Sequence, residues 1–169
     1  LLFIPFGVKT IESGAFQGCS SLPSITLPES VSSIENDTFN GCSSLTSIAI
    51  PELVTSVGGY AFYGCTSLKN VTIGENVETI GEYAFSGCQT LTDITIPASL
   101  ESIQGHAFDG CASLTCIDIP ELVNNIDAFA FNNCKALETI NIEGQIKRVN
   151  NNLFSGCEHL KSITLPQSV

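Results

Sequence analysis

Phenylalanine recurs at Phe16, Phe39, Phe62, Phe85, Phe108, Phe131 and Phe154, and cysteine at Cys19, Cys42, Cys65, Cys88, Cys111, Cys134 and Cys157. Each step is 23 residues, without insertion or deletion. A fixed period of that length demands a stack of equivalent turns, each burying its apolar side against its neighbours, rather than a fold with a single closed core. The 169 residues therefore count turns, not domains.

Aligned on the period, the unit reads GxxAFxGCxSLxxIxIPxxVxxI. From Leu68 through Val71 to Ile73 the apolar spacing ends in the alternation of a half-buried β-strand. Ala61, Phe62 and Cys65 sit at spacings of one and three, which predicts a short helical or 3₁₀ turn. Each strand is reached by a full circuit of the chain, so successive strands stack in parallel. The glycine before cysteine recurs at Gly18, Gly41, Gly64, Gly87, Gly110 and Gly156 but is Asn133 in the sixth turn. Asparagine is the usual substitute where φ is positive, so this position is expected to end the helical turn in a left-handed conformation. A proline stops the strand at Pro5, Pro28, Pro51, Pro97, Pro120 and Pro166, with Gly74 and Glu143 in its place twice. A pair such as Val77 and Ile80 then lines the opposite wall. Burying one Leu, Ile or Phe is worth about 1.5–3 kcal/mol, and the gain exists only where neighbouring coils cover one another. Residues 1–11 read as a partial coil and Val169 falls within the pattern, which predicts one solenoid over 1–169, truncated at both ends.

The strand segment LxxIxI resembles the LxxLxL of leucine-rich repeats. With the preceding AFxGCxSL and the following IPxxVxxI, it resembles the BspA-like leucine-rich repeats of bacterial and protist surface proteins, over the whole chain. The resemblance implies a curved solenoid of about seven coils with a parallel sheet on its concave face, and a cell-surface or secreted adhesion role. One departure stands out. The asparagine site of the general leucine-rich pattern is filled here by Ser30, Leu53, Asn76, Ser99, Leu122, Gln145 and Ser168, so the turn is closed in another way.

Seventeen acidic against six basic residues give a net charge of −11, which repels phosphate backbones and argues against a nucleic-acid partner. No apolar run approaches the roughly 18 residues of a membrane span. The laddered cysteines share a face with Phe and Leu, and a free thiol there behaves as a small buried hydrophobe. Neighbouring coils would bring their Cα atoms to about 5 Å, so disulfides are the alternative. Zinc would need converging ligands at short spacing such as CxxC, which does not occur. Cys116 stands where other coils have Ser24, Ser47, Asn70, Asp93, Thr139 and Ser162, and is expected to be exposed.

His106 and His159 occupy unrelated repeat positions, and no histidine, carboxylate and nucleophile recur together. The chain is thus expected to be no enzyme and to need no cofactor or metal. Glu29, Glu52, Glu75 and Glu121 form a column that reads as a solvated acidic edge. Tyr60, Tyr83, His106 and Phe129 form an aromatic column, either a contact surface or a cover over the turn. Sequons occur at Asn36 and Asn70.

The outward strand positions are small and polar, and suit weak or multivalent recognition. The reading is a non-catalytic protein-binding or adhesion module, its ligand-binding residues Asn70, Thr72, Asp93, Thr95, Asp118 and Asn141 on the concave face. The expected partner is a protein, of the extracellular-matrix or host-surface class. An intracellular scaffold or spacer is the first alternative, and an ice- or crystal-binding surface, drawn from Thr72, Thr95 and Thr164, the second.

Overall fold

A computed structural model describes residues 2–169. Among the described residues, fourteen short strands carry the chain around a solenoid, whose coils are numbered one to seven by their phenylalanines from Phe16 to Phe154. The first wall is built from the LxxIxI segments: β1 (Leu2–Phe3), β3 (Ile25–Thr26), β5 (Ser47–Ala49), β7 (Asn70–Thr72), β9 (Asp93–Ile94), β11 (Cys116–Ile119), β13 (Thr139–Ile142) and β14 (Ser162–Thr164). All pair in parallel, in three hydrogen-bonded groups: β1-β3, β5-β7-β9 and β11-β13-β14. The register joins each residue to its equivalent 23 positions on, as in Asn70 to Asp93 and Asp118 to Asn141.

The V/L/I pair after the proline does more than line the far wall. It forms a second parallel sheet of six strands, β2 (Thr10–Ile11), β4 (Ser33–Ile34), β6 (Ser56–Val57), β8 (Thr79–Ile80), β10 (Ser102–Ile103) and β12 (Asn125–Ile126). Between the walls lies one continuous core from Ile4 to Leu153. Its spine is the phenylalanine column, rings parallel within 13° and centroids 5.2–6.0 Å apart. Parallel, offset rings at this separation are a favoured aromatic arrangement.

The expected helical turns are not formed. Among the described residues there is no helix, and the stretch around Ala61, Phe62 and Cys65 is a run of turns. Its amides alternate in destination: Tyr60, Phe62 and Gly64 donate to Glu82, Ala84 and Ser86 of the next coil, each at 2.8 Å, whereas Ala61, Tyr63 and Cys65 donate to Gly58, Tyr60 and Phe62 of their own. A helix would turn every amide inward, but here half are spent on holding neighbouring coils together. Left-handed residues every four positions, at Tyr60 (φ 58°) and Gly64 (φ 67°), make that alternation possible.

The glycine column behaves as expected. Gly18, Gly41, Gly64, Gly87, Gly110 and Gly156 have φ of 67–75°, and Asn133 takes the same region at 55°. The missing asparagine ladder is replaced by serine. Ser30, Ser99 and Ser168 each donate to a carbonyl of the preceding coil, at Val8, Val77 and Ile146, over 2.7–2.8 Å. Leu53 and Leu122, which cannot do this, stand exposed at the same position.

Candidate functional site

Alternation along each strand of the first wall sends Ile48, Val71, Ile94, Ile117 and Ile140 into the core and leaves the residues between them outside. Asn70, Thr72, Asp93, Thr95 and Asp118 are exposed and Asn141 is half-buried. The register sets Asn70 beside Asp93 and Asp118 beside Asn141, while Thr72 pairs with Ala49. The six residues therefore share one face, in adjacent coils.

That face has two characters. Its first half is a neutral hollow of about 310 Å³, bounded by Thr26, Ser47, Ala49, Asn70 and Thr72. Its second half is smaller, about 140 Å³ between Asp93, Thr95, Cys116 and Asp118. It is also acidic, since the Asp93 and Asp118 carboxylates line it, and in the next coil Asn141 Nδ2 donates to the Glu143 carboxylate at 3.2 Å. Such a surface offers hydrogen bonds and an attraction for cationic groups. The threonine column along it is interrupted by Ala49, Asp118 and Asn141.

The cysteine column is core. Cys42, Cys65, Cys88, Cys111 and Cys134 are fully buried, and all eight thiols are unpaired with one another. Each buried Sγ–H donates to the carbonyl oxygen of the phenylalanine 26 residues earlier, at 3.1–3.3 Å, as from Cys88 to Phe62. Burial, then the neighbouring thiol, pushes Cys42 up to about 11 and Cys65 up to about 12, and holds Cys88 and Cys111 well above the ordinary range. These groups are protonated donors rather than nucleophiles. Cys116 is exposed on the first sheet.

The remaining polar candidates are engaged structurally. His106 Nδ1 lies 2.9 Å from Asp109 Oδ2, and His159 Nδ1 lies 2.8 Å from the Lys135 carbonyl oxygen. Glu52 Oε2 accepts from the Glu75 amide at 2.9 Å, tying two members of the acidic column together. Asn36 Oδ1 accepts from the Gly59 amide at 2.7 Å, and Asn70 is exposed on the first sheet. Among the described residues no three of His, Cys, Asp and Glu come together as a metal would require, and no helix is long and apolar enough to cross a membrane.

The aromatic column is more than a cover. Tyr60, Tyr83, His106 and Phe129 stack face to face at 4.8, 4.4 and 4.7 Å, within 12° of parallel. All four have left-handed backbone, with φ of 56–62°. For side chains with a Cβ this costs roughly 1–2 kcal/mol each, against about 0.5–1.5 kcal/mol returned by each stacked pair. The sequence carried the signal: the same column holds Gly14, Asp37 and Asn152, three residue types that favour this region, with φ of 67°, 58° and 53°. Beside the column runs a trough of about 630 Å³ that the repeat pattern alone does not announce.

Comparison with protein families matches the chain to the BspA type leucine rich repeat region, in six copies over residues 2–96 and 78–169. No curated protein matches the sequence. Among solved structures, the chain is similar to a leucine-rich repeat protein from Bacteroides ovatus, with 39% identity and a TM-score of 0.75 over 80% of this chain and 36% of that one. It is similar to the T. pallidum leucine rich repeat protein TpLRR, with 30% identity and a TM-score of 0.84 over 86% of this chain and 71% of that one. A leucine-rich repeat protein from Eubacterium ventriosum has 30% identity and a TM-score of 0.87 over 99% of this chain and 44% of that one. The chain thus spans about a third of the Bacteroides protein.

Proposed function

We propose that this chain, which belongs to the BspA-type leucine-rich repeat family, is a single solenoid domain that serves a cell-surface or secreted protein as a non-catalytic adhesion module. Its partner is a protein, of the extracellular-matrix or host-surface class, bound across the concave sheet through Asn70, Thr72, Asp93, Thr95, Asp118 and Asn141. The supporting observation is the parallel register within β5-β7-β9 and within β11-β13-β14, which turns these small polar side chains outward on the same side of adjacent coils. Membership of a leucine-rich repeat family points the same way, since such repeats generally serve as interaction modules. Each coil contributes little by itself, so affinity grows with the number of coils engaged.

The test is binding to a panel of immobilised matrix and host-surface proteins, with a Thr72→Arg, Thr95→Arg double variant beside the parent. Two adjacent arginines would block the face between the hollows without touching the core. Binding by the parent and not by the variant, with matching circular dichroism, supports recognition on the sheet. Equal binding by both moves the site elsewhere, and no binding by either favours a spacer.

A further inference from the structure

Lys147 and Arg148 are the one pair of adjacent basic residues in the sequence, and Arg148 is its one arginine. Both are exposed, as is Val149 after them. Neither forms an ion pair among the described residues, although carboxylates outnumber basic groups by seventeen to six. The main chain beneath them is equally bare. From Ile146 to Asn151 no amide donates to a protein acceptor, and the carbonyls of Lys147, Arg148 and Val149 accept no hydrogen bond among the described residues. One coil earlier the same positions are bonded. Val123 donates to Pro120 at 3.2 Å, Asn124 to Glu101 at 2.9 Å and Asp127 to Ile103 at 2.9 Å, while Asn125 and Ile126 lie in β12 beside β10. Between the two coils a cleft of about 300 Å³ separates Asn124, Asn125 and Ile126 from Lys147 and Arg148. The segment is held at its ends, by the buried Ile146 and by Asn150 Nδ2, which donates to the Ile126 carbonyl at 2.6 Å.

An endopeptidase takes its substrate in extended form, pairing with the backbone as an added strand does and drawing the scissile carbonyl into an oxyanion hole. A peptide bond already committed to the fold is refused until that part of the structure opens. By this criterion the bonds after the other basic residues are closed. The Lys9 carbonyl accepts from the Ser32 amide at 2.7 Å, and the Lys135 carbonyl lies 2.8 Å from His159 Nδ1. Lys69 donates to Thr46 at 2.9 Å and leads directly into β7. The amides of Lys161 and Ser162 both donate to Glu138, at 2.9 and 3.2 Å. The bond from Arg148 to Val149 has two basic residues before it and no backbone commitment on either side.

We propose that the exposed Lys147-Arg148 pair is a processing site for a trypsin-like endopeptidase, cut while the rest of the solenoid stays folded and leaving coil seven docked. The class of enzyme follows from the side chain, since an acidic specificity pocket takes up a guanidinium that nothing in this chain engages. Water is the second reactant. The C–N bond between Arg148 and Val149 breaks, the hydroxyl of the water completes the Arg148 carboxyl group, and its remaining hydrogen completes the Val149 amine. Contacts beyond the cut hold the 149–169 piece in place. The carbonyls of Asn151, Leu153 and Ser155 accept from the Phe129, Phe131 and Asn133 amides at 3.1, 3.1 and 2.7 Å, Phe154 stacks on Phe131 at 6.0 Å, and β14 pairs with β13. The cut lies along the second wall, so the outer residues of the first sheet are left whole.

The test is brief digestion of the folded chain with a small amount of trypsin, followed by mass measurement of the intact fragments. The first cut is expected after Arg148 or Lys147, at least roughly tenfold faster than after any other lysine. Both pieces should leave a native sizing column together and separate in denaturant. Two variants then ask what selects the site, each confirmed as folded by circular dichroism before digestion. Asn124→Lys, Asn125→Arg places the same pair in β12, where the bonded backbone should keep it uncut. Glu143→Pro, Gly144→Glu leaves Lys147 and Arg148 in place but restores the turn of coil six, and cleavage after Arg148 should slow at least roughly tenfold. A first cut after Lys9, Lys69, Lys135 or Lys161 overturns the proposal, as does cleavage that waits for the whole chain to melt. So does a transplanted pair cut as fast as the native one, or fragments that part without denaturant.

Discussion

Truncating the middle of the phenylalanine spine is the sharpest way to ask whether stacking across coils holds this solenoid together. Phe85 is fully buried, with Phe62 at 5.2 Å on one side and Phe108 at 5.5 Å on the other. Large-to-small changes at such positions cost about 3–5 kcal/mol, depending on how far the surroundings collapse into the cavity. Collapse is restrained here. The Phe85 amide donates to Ala107 at 2.8 Å, and its carbonyl accepts from the Cys88 amide at 3.1 Å and from Cys111 Sγ at 3.2 Å. Phe85→Ala is therefore expected near the upper end, about 4–5 kcal/mol. Phe16 is half-buried and has a single stacked neighbour, Phe39 at 5.3 Å. Phe16→Ala then costs only about 1–2 kcal/mol, from partial burial and one ring pair. Urea unfolding followed by circular dichroism measures both. With a slope of about 2 kcal/mol/M, Phe85→Ala lowers the midpoint by roughly 2 M. Because each coil contacts only its neighbours, it also divides the array, and the transition broadens toward two steps. Equal losses from the two variants would refute the argument, since they would mean that position in the stack does not matter.

The thiol column makes stability depend on pH. The folded chain keeps protons on Cys42 and Cys65 up to about pH 11 and 12 that an unfolded chain releases near 9, so stability is whole below about pH 9 and is lost as pH rises through that window; melting temperatures that stay flat from about pH 8 to 11 would contradict this. In the native state iodoacetamide should label Cys116 and spare the five fully buried thiols, as read by peptide mass mapping. Gly87→Ala should cost about 1–2 kcal/mol by its backbone alone. At Gly87, φ is 74° and an added Cβ meets nothing nearer than 3.6 Å; Gly87→Asn should lose less, and a ranking with Ala the milder would count against the conformational account.

Most of the scaffold was legible because translation along a stack repeats each position's environment. The 23-residue step revealed the parallel register, the buried Phe and Cys columns and the left-handed glycine position, Asn133 included. The run from Ala61 to Cys65 was misread, because spacing reports which side chains are buried and not which carbonyl each amide chooses. Helical and inter-coil pairing bury the same residues there. That Asn70, Thr72, Asp93, Thr95, Asp118 and Asn141 lie on the outer side of the first wall followed from alternation alone; that they bind a partner is the proposal above. The trough was not, since it depends on where Gly105 and Ala128 fall between Glu82 and Asn151, a difference between coils rather than a feature of the unit. The aromatic column was visible, and Gly14, Asp37 and Asn152 could have disclosed its backbone.

Differences between coils also explain where the second sheet ends. Gly74 and Glu143 both replace the turn proline, yet with opposite outcomes. Gly74 keeps the turn, the Val77 amide donating to its carbonyl at 3.2 Å as the Val54 amide does to Pro51 at 3.1 Å. After Glu143 the equivalent bond from Ile146 is missing, and the Gln145 amide instead reaches back to Val123 at 2.7 Å. Gly144 permits this, since a Cβ there would run into the Val123 carbonyl oxygen. The chain enters coil seven displaced, and Arg148 and Val149 form no strand beside β12. Asn150 compensates partly by donating its side-chain amide to Ile126 at 2.6 Å, where other coils use the backbone. Amide hydrogen exchange should register the change. The Asn124 amide, bonded to Glu101 at 2.9 Å, is expected to be protected with the core, whereas Lys147, its equivalent one coil later, makes no such bond and should exchange far faster. Replacing Glu143 with proline and Gly144 with glutamate, the residues of coil six, should restore the turn and slow exchange at Lys147. If Lys147 in the parent is already as protected as Asn124, the second sheet continues in solution, and the lost turn is not what ends it.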